Sequence, residues 1–194
     1  MQAIIYAAAQ LSITGRSRAT PELGSSPATS IVPVVDEPFV MNLADAPTRS
    51  HPKRATIIDF ESDDAPWPDT GVNVQIMQPG QPNCKYHSEP VQEDFLVLYG
   101  RCIAIVDGVE RELRQWDFFH CPAGVEHVFV GAGDGPSAVL MIGSRRKDEA
   151  HYPASDVAAK YDASASHATD DPAEAYADWR REPWRSVEGR WPPA

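Results

Sequence analysis

The sequence predicts an all-β fold, with strands closed into a barrel or packed as two sheets, an extended arm before them and short helices after them. Three observations lead there. Between residues 55 and 142, strand-length apolar runs are separated by Gly, Pro and Asp turn signals. The run Phe95–Tyr99 is apolar on both alternating faces, as a strand buried on both sides requires. Beyond Gly143 the pattern changes to Ala-rich stretches that carry helix caps.

Taken in order, residues 1–30 are rich in Ala, Ser, Thr and Pro without a period, and are expected to be disordered or weakly structured. Met41 would serve as an alternative start. Residues 31–54 read as an extended arm, because Pro33 and Pro38 suit an edge better than a central strand; such an arm can lie across a neighbouring subunit. Residues 55–145 are the expected barrel. Strands are predicted at Ala55–Phe60 and Val72–Met77, the second ended by Pro79-Gly80. Trp67, among turn residues, is a packing anchor or a pocket rim. Cys102–Val106 runs into Asp107-Gly108, a two-residue hairpin signal. Val109–Arg114 returns with alternating charge, so one side of it is solvated. Gly131–Gly135 precedes a strand rather than a helix, which makes it a turn and not a phosphate cradle. Residues 146–194 read as a helical tail. Ser155 caps one short helix, and Asp171-Pro172 opens a second that runs to Arg180 and Arg181. The closing stretch interleaves Trp and Arg, and is expected to pack on the barrel or on a partner.

Composition narrows the function classes. A chain of 194 residues holds one domain plus tails. No apolar run reaches the ~20 residues of a membrane span, and no basic residues precede the short apolar start, so no secretory signal is expected. The formal net charge of −11 disfavours nucleic acid and anionic membranes as partners. Cys84, Cys102 and Cys121 are odd in number and form no CxxC pair, which reads as reduced thiols in a cytoplasmic protein.

The chemistry concentrates between residues 80 and 131. Alternation puts His87, Glu89 and Glu93 at one parity, so a regular strand would aim all three at one point. His127 opens a second apolar strand after the turn at Pro122 and Gly124. Buried carboxylates and imidazoles need partners, and one divalent metal would satisfy several at once. The alternative for each His is a hydrogen-bonded core position, and Glu89 alone could act beside a ligand set as a general base. His120 is expected to be a barrel-wall residue.

These residues resemble the two motifs of the cupin superfamily, small jelly-roll (double-stranded β-helix) barrels. His87-x-Glu89-x3-Glu93-x6-Gly100 is similar to the first motif, G-x5-H-x-H-x3,4-E-x6-G, with Glu89 in the place of the second His and Gly80 one residue too far from His87. Pro122, Gly124 and His127 match the second motif, with Trp116 in place of its Gly and Gly131 in place of its Asn. The resemblance implies a metal centre formed by His87, Glu89, Glu93 and His127. Two neutral His and two carboxylates neutralise a divalent ion, where three His and one Glu would leave one positive charge. Such a set suits Fe(II), Mn(II) or Ni(II) over thiophilic ions, with Zn(II) also compatible. The expected function is a metal-dependent enzyme acting on a small organic substrate by dioxygenase-type or isomerase/lyase-type chemistry, with Glu89 as ligand or catalytic base. The alternative is a non-enzymatic metal-dependent binding or sensing module. The apolar outer positions Leu96 and Leu98, with the arm, lead to the expectation of a homodimer.

Overall fold

The computed structural model describes residues 38–61, 66–145 and 149–187. The expectations for residues 1–30 and for residues 31–37 of the Pro-rich arm lie outside these residues.

Among the described residues, ten strands form two antiparallel sheets. They are β1 (Thr48–His51), β2 (Arg54–Asp59), β3 (Thr70–Met77), β4 (Glu93–Tyr99), β5 (Arg101–Val106), β6 (Val109–Arg114), β7 (Phe118–Cys121), β8 (His127–Ala132), β9 (Ser137–Ser144) and β10 (Arg185–Ser186). The large sheet runs β10-β1-β2-β3-β9-β4-β7 and the small one β6-β5-β8. This is the double-stranded β-helix, or jelly-roll, arrangement. Asp107 and Gly108 both have positive φ, 46° and 74°, the backbone that a two-residue hairpin between β5 and β6 demands.

Alternation sorts each strand between an inner and an outer layer. The interior is apolar and drawn from both sheets. Ala55, Met77, Phe95, Val97, Val139 and Met141 come from the large sheet, and Cys102, Ala104, Val106 and Phe129 from the small one. The outer positions are covered separately. Ile58, Val74 and Ala138 of the large sheet pack with Ala46, and Met41, Leu43 and Leu98 flank them. The described part of the arm therefore folds back on its own sheet, through a 3-10 turn at Leu43–Asp45 that Asn42 caps.

The small sheet's outer residues Ile105, Val128 and Val130 are covered by the C-terminal segment. That segment is less helical than its sequence suggests. It holds α1 (Asp156–Ala159), capped by Ser155, and α2 (Pro172–Ala175), capped by Asp171. The caps fall where the sequence puts them, but α2 stops at Tyr176 and does not reach Arg180. Turns carry the chain on, so that Trp179 can bury itself, 2% exposed, beside Arg54 and Lys85. The chain then joins the large sheet as β10, with Arg49 opposite Ser186. Packing of the Trp outweighs continued helix, a common override of local preference. Trp184 lies over Arg49 and Arg54, at 5.0 and 5.2 Å, so the described part of the Trp/Arg stretch packs on the barrel.

Candidate metal centre

The two histidines meet because the backbone pairs them. His87 and His127 form an isolated antiparallel bridge, with each backbone N–H donating to the other's carbonyl at 3.1 and 2.7 Å. Their rings end 4.8 Å apart. Glu93 opens β4, opposite Cys121 of β7 and Gly143 of β9. The Glu89 carbonyl accepts from Gly124 N–H at 2.7 Å, which ties the first motif to the turn of the second. A regular strand does not run through all three first-motif positions. Pro90, which has no N–H to donate, interrupts it, and the ladder starts only at Glu93. Convergence on one point survives through the His87–His127 bridge instead of through strand parity.

The ligand atoms of His87, Glu93 and His127 all lie within 4.8 Å of one another. Glu89 joins through His87, with its Oε1 3.5 Å from His87 Nε2. Glu93 Oε2 stands 3.3 Å from His127 Nε2. All four side chains are buried. Each imidazole is held from behind, since His87 Nδ1 lies 2.9 Å from the Lys85 carbonyl and His127 Nδ1 3.1 Å from that of Val125. A carbonyl only accepts, so both Nδ1 atoms carry the proton and both Nε2 atoms can present a lone pair forward, the orientation of metal-bound His.

The chamber is built of acceptors. The Oε1 atoms of Glu93 and of Gln75, which also lines it, have no hydrogen-bond partner. Its volume is about 20 Å³, room for one ion or one water. Such a set fits a bound divalent cation. The residues' own titration shows the same demand for positive charge. Burial opposes a charged His127, but the neighbouring Glu93 carboxylate overrides it and raises the imidazole to about 10. Burial also opposes charge on His87, while Cys84 and Glu89 raise it well above its ordinary value.

A larger cavity, about 470 Å³, adjoins the chamber and is lined by Ser88, Pro90, Gly124, His151, Asp170 and Glu89 itself. Glu89 therefore borders both spaces. His120 faces outward, with Nδ1 2.7 Å from Asp94 Oδ1. Cys84 and Cys121 are buried thiols, 3.6 and 3.4 Å from the Nδ1 atoms of His87 and His127.

Sequence reasoning missed Gln75, Tyr152 and Tyr176, which complete the chamber wall. Gln75 carried a readable signal, as a polar residue at the parity of Met77 on a strand buried on both faces. Tyr152, stacked on His87 at 5.8 Å, carried none. Lys85 was missed too. Buried at 1% exposure, its ammonium donates to the carbonyls of Asp162 and Ser164 and to Asp178 Oδ2, at 3.1, 3.1 and 2.8 Å, and so pins the C-terminal segment to the barrel.

Comparison with known proteins agrees with this architecture. Residues 73–143 match the family described as Cupin domain. The polyketide cyclase RemF from Streptomyces resistomycificus superposes with a TM-score of 0.51 at 13% identity, over 59% of this chain and 84% of that one. A Klebsiella pneumoniae protein with a double-stranded β-helix domain gives 0.50 at 17% identity, over 59% and 96%. A putative sugar phosphate isomerase from Acidithiobacillus ferrooxidans gives 0.40 at 22% identity, over 43% of this chain and 54% of its own, so this chain spans about half its length. No curated protein matches the sequence. Among the described residues no helix is long and apolar enough to cross a membrane. The motif residues, the two-sheet barrel and the family match together identify a cupin domain at residues 73–143 of this chain.

Proposed function

We propose that the chain is a metal-dependent enzyme acting on a small organic substrate, with one divalent ion held by His87, Glu89, Glu93 and His127. The observation that carries this is the buried acceptor chamber, in which two forward-facing Nε2 atoms, the Glu93 carboxylate and an orphaned Glu93 Oε1 share room for one ion. Fe(II), Mn(II) or Ni(II) suits the nitrogen and oxygen donors. A bound ion would polarise a substrate carbonyl or hydroxyl.

The chain's own residues would do the rest. The imidazoles are fixed by the Lys85 and Val125 carbonyls and need not reorganise. The organic substrate would occupy the cavity of about 470 Å³, a size suited to small ligands, and approach through the Glu89 wall. Tyr152 and Tyr176 close the chamber and keep bulk water out.

The position of Glu89 favours a second reading of this one residue. It stands outside the tight group of three and faces the substrate cavity, as a general base would. Proton abstraction by Glu89 points to isomerase or lyase chemistry rather than oxygenation. The test is anaerobic purification with elemental analysis, followed by the Glu89→Gln variant. Weakened metal binding assigns Glu89 as a ligand. Undiminished metal with turnover abolished assigns it as the base. A wild-type protein free of any stoichiometric divalent metal, even after reloading, would contradict the proposal and favour a metal-independent binding module.

A further inference from the structure

Gln75 lies at the middle of β3, in the large sheet, between Ile57 of β2 and Val139 of β9. These cross-strand neighbours are apolar and offer no side-chain donor. Gln75 is 2% exposed. It shares the inward parity of Met77, which belongs to the barrel interior. An apolar residue is the ordinary occupant of such a position. Gln75 instead places a side-chain carbonyl oxygen in the wall of the metal chamber, and that oxygen has no hydrogen-bond partner. The nearby amide of Asn83 is committed elsewhere, since its Oδ1 accepts from Phe129 N–H at 2.8 Å and its Nδ2 points to Met141 Sδ at 3.7 Å.

We propose that Gln75 is a fifth protein ligand of the ion, giving it a neutral amide oxygen from β3. This rests on the metal-centre reading above. A carbonyl oxygen among acceptors can be satisfied only by a donor or a cation, and the chamber has room for one ion. The oxygen adds no charge, so the neutral balance of two carboxylates and one divalent ion is kept. It moves the donor set further toward Mn(II) and Fe(II). It also limits the chemistry. A six-coordinate ion with five protein ligands keeps one open position, so the substrate would bind through a single oxygen rather than chelate as a diol or enediol.

Mn(II) affinity, Co(II) absorption and metal-free thermal stability, measured on wild type, Gln75→Leu and Gln75→Glu, test the assignment. Gln75→Leu should bind Mn(II) about tenfold more weakly. Its Co(II) visible bands should intensify as the coordination number falls. Its metal-free melting temperature should rise, because a buried acceptor without a donor is gone. Gln75→Glu should bind Mn(II) more tightly than wild type. A fall in the metal-free melting temperature of Gln75→Leu would make Gln75 a structural residue and overturn the proposal. Unchanged affinity and Co(II) spectrum in Gln75→Leu, or Gln75→Glu binding no tighter than wild type, overturns it as well. If wild type loads a stoichiometric ion and Gln75→Leu is indistinguishable from it, only the fifth ligand is lost. If wild type takes up no ion, the metal-centre reading falls and this proposal with it.

Discussion

The candidate metal chamber has two walls of different origin. The barrel wall presents His87, Glu93, His127 and Gln75 from strands or from a bridge between strands. The other wall presents Tyr152 and Tyr176 from the C-terminal segment, whose described residues form two short helices and a two-residue strand. Backbone ladders fix the first wall. The second is fixed by side chains, with Lys85 donating to three acceptors of that segment and Trp179 buried against Lys85 and Arg54. The contrast teaches a division of labour. The candidate ligand groups sit where ladders prevent movement, and closure of the chamber is left to a segment that a few side chains hold in place.

Breaking the second wall gives the largest expected change in stability. Trp179→Ala removes a buried indole from the core that joins the segment to the small sheet, and should cost about 3–5 kcal/mol in chemical denaturation. The barrel ladders do not involve Trp179, so the folded variant should still bind metal. Loss of stability together with loss of metal would mean that the walls do not work separately.

The same contrast explains what was legible in the sequence. The barrel wall was readable because each candidate ligand sits at a fixed distance from a Gly or Pro turn, and because strand alternation assigns faces. The register was misread locally at Pro90, yet His87, Glu93 and His127 still converge through a bridge that no local pattern encodes. In the second wall, the caps Ser155 and Asp171 were readable because capping is a contact within a few residues. The end of α2 was not, because Trp179 packs on Arg54 and Lys85, residues far away in sequence. Tyr152 and Tyr176 were hidden for the same reason.

Titration should sharpen the comparison at a smaller scale, since it acts on the barrel wall alone. In the metal-free protein the His127 imidazole is raised from 6.5 to about 10 by Glu93, against burial. A raised pKa means the folded state holds the proton more tightly than the unfolded chain does. The pair's contribution to stability is therefore complete below about 6.5 and lost as pH rises through about 10. Metal binding must displace that proton, so affinity should rise by about tenfold per pH unit for each proton released over this range. Trp179→Ala should show the same slope in a pH series of calorimetric titrations. A flat profile would mean that the ion does not bind through His127 Nε2.

The smallest effect lies away from both walls. Trp116 is 67% exposed and has φ of 75°, where the cupin motif carries Gly. The left-handed region is unfavourable for a side chain. Trp116→Gly should therefore stabilise the protein by about 1 kcal/mol, with metal content unchanged. A loss of stability in thermal unfolding would show that the indole makes contacts that outweigh the backbone strain.

The most direct test of the central claim is the metal stoichiometry of a His87→Ala/His127→Ala double variant, measured by elemental analysis beside wild type after anaerobic reloading with Fe(II) or Mn(II). Folding is checked by circular dichroism. The account predicts one ion per wild-type chain and essentially none in the folded double variant, because both forward-facing Nε2 atoms are gone. A folded double variant that retains one ion per chain would contradict it.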